Sequence, residues 1–391
     1  MRLAAEKFCN RLGVEFLDEI IPFYEEGLKL YKTNGKAIVD TDRLCKLNNK
    51  YNFFRKWFPD VLSAAELVAE DEDLLLFTYV LYAMIRADSE LVKMEMPDRG
   101  RMDTDFVPMF SLLFCLEDMI EKMEARELPF DVISNTLQGF DAEINDYFDM
   151  FGRSGMRIYV DWFMLFVRCD LIRVGRLNFE MTDFKHKVRV YQKGDDIKIL
   201  IDGQYMHKKG MVFGSIGQTD EEGKFYADIT EDGDFVSGYS VNEYGECVPE
   251  KVMLSGYREV LRYGDKIVNV HIPAHEPFSV ELCREAYEKA SGIFKKHYKD
   301  YPFKAYCCFS WMLEKRLRDI MQRDTNITKF ADDYTVFPLL NDGSEVYTFL
   351  FHLQKKMEPQ QLPENSSMQR AVKKYLCDGN HFYQKGGVII K

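Results

Sequence analysis

The sequence predicts an α+β protein, with an all-α N-terminal domain followed by a mixed β-sheet domain flanked by helices. Three observations predict it. Apolar residues recur at helical spacing through about the first 150 positions. Near Arg173 the pattern changes to short alternating runs. From Val252 onward, strand-like and helix-like stretches alternate. The 391 residues are 46% hydrophobic, enough to bury a sizeable core in two or three domains. The boundary is placed between 168 and 169, dividing the chain into domains 1–168 and 169–391.

In the first domain, Phe16, Ile20, Phe23 and Tyr24 share one helical face, and Leu74, Phe77, Leu81 and Ile85 share another. Asp40-Thr41-Asp42 reads as a helix start, because a short acidic side chain satisfies the first unpaired N–H groups. Pro59-Asp60 and Pro97 to Gly100 read as breaks. One helix is predicted over Val107–Lys122, and one from Asp131 with Ile133, Leu137, Phe140 and Ile144 on a face. The total is about five to seven helices. The run Asp161–Val167 is apolar enough to be buried between domains.

The second domain opens with strands at Leu177–Met181, Val188–Tyr191 and Ile197–Ile201, then a hairpin signal at Asp202-Gly203. Residues 202–250 read as a polar, partly mobile β-hairpin region or flap, with turns at Asp232-Gly233 and Tyr244-Gly245. A short helix or turn is expected at Ser255–Leu261. After it come a strand at Lys266–Ile272, a helix at Ser279–Tyr298 and a strand at Phe303–Met312. The helix is expected to turn Leu282, Tyr287, Ala290, Ile293 and Phe294 inward. Glu314–Met321 reads as helix and Tyr334–Leu339 as strand; Ser344–Lys355 reads as helix or strand, with Val346–Phe351 favouring strand; Ser367–Leu376 reads as helix and Gly386–Ile390 as a last strand.

The stretch Tyr263–Phe294 organises this half. A buried β-branched strand leads through Pro273-Ala-His-Glu-Pro277 into a helix capped by Ser279. That geometry suits an anion, since the first N–H groups of a helix lack partners.

Composition removes several function classes. A net charge of −12 argues against nucleic acid as a partner, because phosphate binding needs clustered Lys and Arg. Nine cysteines without metal-ligand or disulfide spacing predict a reduced, cytoplasmic protein with no metal site. No signal core opens the sequence, and the strongest apolar run, Leu74–Ile85, is too short to span a membrane. A monomer or homodimer is expected.

Gly264-Asp-Lys-Ile-Val-Asn-Val-His-Ile-Pro273 resembles a strand segment of a bacterial family of acyltransferase-domain proteins. Arg173–Glu180, Cys308–Leu313, Asp324–Phe330 and Leu362–Arg370 match it as well, in order and spacing. The family pairs an acyltransferase-associated helical domain with a GNAT-like C-terminal domain, and the resemblance covers nearly the whole chain. It implies a sheet whose two central parallel strands splay apart, with acetyl-CoA or another acyl-CoA in the gap. By that resemblance, the backbone of Val270 and Ile272 pairs with the pantetheine arm. The helix start at Ser279 and Val280 receives the pyrophosphate, and Phe303–Met312 is the strand across the splay. The chain departs from the family pattern at several points. The bend 273–278 has no glycine, its prolines lack N–H donors, and Glu276 would repel phosphate. Phe309 stands where relatives carry His, Asn178 where Gln is common, and Thr325 where Ser is common.

Acyl transfer from a thioester needs a base for the acceptor and a donor for the developing charge or the leaving sulfur. His271 is the first candidate base and Glu180 the second, each weighed against a purely structural role. Ser310 is the candidate donor to sulfur or backbone. Arg176 and Arg173 would hold a phosphate or carboxylate, or make a salt bridge. Asn326 would contact ligand or cap a helix, and His275 would meet phosphate or solvent. The implied activity moves an acyl group to an amine or hydroxyl of a small molecule or peptide. Two alternatives stay open. One is a GNAT-like module that has lost transfer chemistry and binds or regulates. The other is a Cys308–His271 hydrolase.

Overall fold

The computed structural model describes residues 2–13, 17–88, 102–156, 160–353 and 355–391. Phe16 and the break at 97–100 lie outside them. The chain divides into two units, residues 1–178 with 273–276, and residues 179–272 with 277–391.

Among its described residues the first unit holds ten α-helices. They are α1 (Arg2–Leu12), α2 (Leu17–Asn34), α3 (Thr41–Tyr51), α4 (Phe58–Ala69), α5 (Glu72–Arg86), α6 (Met102–Leu113), α7 (Leu116–Ala125), α8 (Phe130–Leu137), α9 (Gly139–Phe151) and α10 (Val160–Arg168). The expectation of five to seven was low, partly because two long helices are each broken. At Phe114-Cys115 the chain tightens, with Cys115 N–H donating to Leu112 three residues back. Glu117 and Asp118 then favour a new N-terminus. At Gln138 the chain breaks before Gly139, where a side chain would lie 2.7 Å from the Phe166 ring. Ile133, Leu137, Phe140 and Ile144 are all buried, two on each side of that break. Asp40 caps α3 by accepting from Arg43 N–H, as the sequence predicts. Residues 74–85 of α5 are buried on every side, making it the central helix of the unit. β1 (Leu171–Val174) follows α10, with Arg173 N–H donating to Thr136 Oγ1 of α8.

The strands of the second unit begin with β2 (Leu177–Asp183), β3 (Val188–Lys193), β4 (Asp196–Ile201), β5 (Gln204–His207), β6 (Lys224–Ala227), β7 (Thr230–Asp232), β8 (Phe235–Val241), β9 (Cys247–Ser255) and β10 (Arg258–Leu261). The rest of the unit runs β11 (Lys266–His271), α11 (Val280–His297), β12 (Ala305–Ser310), α12 (Leu317–Met321), α13 (Asn326–Asp332), β13 (Thr335–Pro338), α14 (Glu345–Phe349), α15 (Ser367–Cys377) and β14 (Lys385–Ile390). The central sheet runs β2-β11-β12-β14-β13. β11 and β12 are parallel, while β14 is antiparallel to both β12 and β13. A second sheet runs β10-β3-β4-β8-β7, with β9 beside β8. One core joins the two sheets: Val188, Val190, Ile199 and Ile201 pack with Ile267, Cys307, Phe337 and Val388. On the opposite face of the central sheet, α11 buries Cys283, Ala286, Ala290 and Phe294.

Several local expectations need correction. Asp202-Gly203 turns the chain but closes no hairpin. β4 pairs with β3 through the Gly194-Asp195 turn, where Gly194 takes φ +61°, and β5 pairs with β6. In the span 255–261 a bend at Gly256, with φ +70°, leads into strand β10 rather than a helix, because Arg258–Leu261 pair with β3. Residues 345–349 are helix, because Val346 and Phe351 sink into a cluster with Trp311, Leu317 and Leu362. Tertiary burial there overrides β propensity. The helix expected over Glu314–Met321 is shorter, covering Leu317–Met321. Leu282 is 40% exposed rather than inward, since the buried face of α11 follows Cys283, Ala286, Ala290 and Phe294. Residues 202–250 supply β5 to β8 and the start of β9: β5 and β6 form a two-stranded sheet of their own, while β7, β8 and β9 pair within the second sheet.

Candidate functional site

The strand β11 alternates its side chains. Ile267 packs between the sheets, so Asn269 and His271 point to the same face. On β2, the Glu180 carboxylate meets both of them. His271 Nε2 is 2.7 Å from Glu180 Oε2, and Asn269 Nδ2 donates to the same oxygen at 2.8 Å. Asn269 Nδ2 also lies 3.1 Å from His271 Nε2. Both of these nitrogens carry hydrogen toward Glu180, so that contact is an abutment rather than a bond. Turning the Asn269 amide over would aim its oxygen at a carboxylate, which fixes its orientation. As a result Asn269 Oδ1 is buried with no hydrogen-bond partner among the described residues.

Burial alone would push the Glu180 carboxyl up. The His271 hydrogen bond and charge outweigh it, with help from Asn269, and the carboxyl is held below its usual range. An ionised Glu180 accepting from His271 Nε2–H fixes the orientation of the imidazole ring.

The dyad stands where the central sheet opens. β11 and β12 pair at Val268↔Tyr306 and Asn269↔Cys307. The ladder does not extend over Val270 and His271 or over Cys308 to Ser310 among the described residues. β12 instead keeps its partner β14 along its whole length. Ser310 ends β12, its hydroxyl oxygen accepting from Met312 N–H at 3.1 Å. It lies two residues past Cys308, on the α11 face of the sheet, opposite the face that carries His271. Glu345 reaches the same end of β12 and accepts from Trp311 N–H at 3.2 Å. Burial pushes its carboxyl up to about 7.

The remaining candidates are placed as follows. Val270 is buried on β11, and Ile272 is half-buried just past its end. Ser279 caps α11 by accepting from Leu282 N–H, and Val280 is the first helical residue. This helix start does favour negative charge. The fully exposed Glu281 carboxyl is held low by its own backbone N–H and by the Ser279 hydroxyl. Asn326 Nδ2 donates to Phe278 carbonyl oxygen at 2.7 Å, tying α13 to the residue before the cap. Within the first unit, Arg176 donates to the carbonyls of Pro273 and Glu276, and Arg173 pairs with the Glu276 carboxylate. Both arginines thus hold the bend, and Glu276 carries a partner for its charge. His275, at φ +62°, meets Asp146 at 2.6 Å, and that hydrogen bond raises its pKa. Cys308 is 1% exposed, and burial pushes its thiol far up, so it is not an activated nucleophile.

Sequence reasoning missed Asn269 and Glu345. Only Asn269 had a signal, its two-residue spacing from His271 on a strand.

The profile of the GNAT-like C-terminal domain family matches residues 171–389. The chain belongs to this family. The profile of the N-acyltransferase N-terminal domain matches residues 46–169. No curated protein matches. Among solved structures, a mutant acyltransferase in complex with octanoyl-CoA is 16% identical, with a TM-score of 0.62 and 99% of each chain covered. An acyltransferase in complex with decanoyl-CoA and teicoplanin is also 16% identical, with a TM-score of 0.61 over 99% of each chain. These likenesses establish the shared fold. Among the described residues, no helix is long and apolar enough to cross a membrane.

Proposed function

We propose that this protein is an acyl-CoA-dependent acyltransferase whose chemistry sits where β11 and β12 part. The observation that carries the reading is the Glu180–His271 dyad at the end of an interrupted parallel ladder. Unladdered backbone at Val270 and Ile272 suits the amide groups of a pantetheine arm. The N-terminus of α11 at Ser279 and Val280 suits its pyrophosphate. His271 takes a proton from an acceptor amine or hydroxyl, and Glu180 holds the imidazole in orientation. The acceptor then bonds to the thioester carbonyl carbon and the carbon–sulfur bond breaks. The leaving thiolate departs on the opposite face, where the Ser310 hydroxyl can hydrogen-bond to the sulfur, and the proton taken up by His271 is released to solvent.

Family membership and the ligands of the two structural neighbours support this reading, and they favour octanoyl or decanoyl groups over acetyl as donor. The N-acyltransferase name of the N-terminal profile favours an amine acceptor. Arg176 and Asn326 act indirectly, by holding the bend and the α11 cap. The protein works in the cytoplasm as a monomer or homodimer on a small-molecule or peptide acceptor. Its charge of −12 keeps it off nucleic acid. Calorimetric titration with acetyl-CoA and decanoyl-CoA tests the proposal. Saturable binding with decanoyl-CoA tighter is expected, and no heat at millimolar ligand would overturn it.

A further inference from the structure

Glu345 stands at the open end of β12, and nothing in the scheme above uses it. Its Oε2 accepts from Trp311 N–H at 3.2 Å, and that nitrogen is bonded directly to the carbonyl carbon of Ser310. The Glu345 charge also acts on the Cys308 thiol, which lies two residues before Ser310 on the α11 face. The carboxyl and the Ser310 side chain therefore share one end and one face of the strand. The adjacent Val346 is buried in a cluster with Trp311, Leu317 and Leu362, which fixes α14 against this turn.

The second carboxyl oxygen, Oε1, makes no hydrogen bond among the described residues, and Glu345 keeps part of its surface exposed. Because Oε2 accepts the amide N–H, the proton of a neutral carboxyl sits on Oε1 and is free to be donated. Burial raises this carboxyl to about 7, and Asp342 on the neighbouring turn adds to the rise. Cys308 is the titratable group that faces it from β12. An acid of that strength gives its proton downhill to a thiolate, whose thiol lies at about 8.5. A serine hydroxyl is a weaker acid than a thiol, so Ser310 can hold the sulfur but not protonate it.

We propose that Glu345 is the general acid of the transfer, donating its proton from Oε1 to the leaving sulfur while the Ser310 hydroxyl holds that sulfur. This rests on the acyltransferase reading above. The acceptor nitrogen bonds to the carbonyl carbon, and the carbon–sulfur bond breaks with its electron pair going to sulfur. The Glu345 proton passes to sulfur, and the carboxylate regains one from solvent. His271 releases to solvent the proton it took from the acceptor, so the net transfer is one proton from acceptor to thiol.

The test uses the full-length protein with decanoyl-CoA as donor and hydroxylamine as a small amine probe. Thiol release is followed above the uncatalysed rate. Glu345→Gln keeps an acceptor for Trp311 N–H and has no acidic proton. It should bind decanoyl-CoA as wild type does, yet lose about 10²-fold in kcat/KM for hydroxylamine at about pH 6, the low end of the range for proton transfer. Glu345→Asp, which keeps an acid, should recover part of that loss. The ratio of wild-type to Glu345→Gln rates should shrink as pH rises past about 7, where Glu345 gives up its proton. Taking the ratio removes the acceptor's own titration. A Glu345→Gln protein within twofold of wild type at about pH 6, or a loss that is the same at about pH 6 and about pH 8.5, overturns this inference and leaves the acyltransferase reading standing. A wild-type protein that neither binds decanoyl-CoA nor accelerates thiol release overturns both.

Discussion

Two carboxyl groups around the splay are set to different protonation states by their surroundings. Glu180 is held ionised by His271 and Asn269. Glu345 is pushed up to about 7 by burial, against the backbone N–H of Trp311. Separated titrations of this kind are how one small site supplies both acid and base. The Glu345 shift also predicts a stability effect of definite sign. Below the unfolded value of 4.5, both states bind the proton and there is no penalty. Between that value and about 7 the folded protein keeps a proton that the unfolded chain has lost, so stability falls as pH rises. Glu345→Gln keeps the acceptor for Trp311 and removes the titration. Urea unfolding at pH 5 and pH 8 should show the variant gaining on wild type at the higher pH, by on the order of 1–2 kcal/mol. An equal difference at both values would contradict the shift.

Single elements carry the site through packing that leaves little slack. β14 holds β12 along its full length, so the opening falls on the β11 side. Two adjacent glycines make this possible. A side chain at Gly386 would sit 2.3 Å from the Phe337 ring, and one at Gly387 would sit 2.7 Å from Leu313. The two positions face opposite sides of the strand, and each lets a neighbour approach the backbone. Gly386→Ala should therefore cost about 1–3 kcal/mol in denaturant unfolding, the range for overpacking a filled core. A variant as stable as wild type would mean that Phe337 can yield. Elsewhere capping chemistry was plain from residue types. Asp40, Ser279 and Ser366 all accept from a backbone N–H three residues on. The helix at 345–349 and the strand at 258–261 were not, because their state is decided by partners far away in the chain.

Across the whole molecule, what could be read depended on the range of the interaction. The change from helical to alternating pattern near Arg173 is a local signal, and the described elements follow it. The strand and helix around His271 also carry local signals: β-branched alternation and a cap. The partnership of His271 with Glu180 spans 91 positions and depends on β2 lying beside β11, which no local spacing encodes. The concern over Glu276 was likewise a long-range matter, since Arg173 supplies its counter-charge.

Under the proposed function, acyl-CoA reacts at the open end of β11 through the His271–Glu180 dyad. The most direct measurement is steady-state thiol release from decanoyl-CoA by wild type, His271→Gln and Glu180→Gln, with decanoyl-CoA affinity measured on the same samples. Affinity should be unchanged, with turnover falling about 10²–10⁴-fold for His271→Gln and by less for Glu180→Gln. Turnover in His271→Gln equal to that of wild type would contradict it.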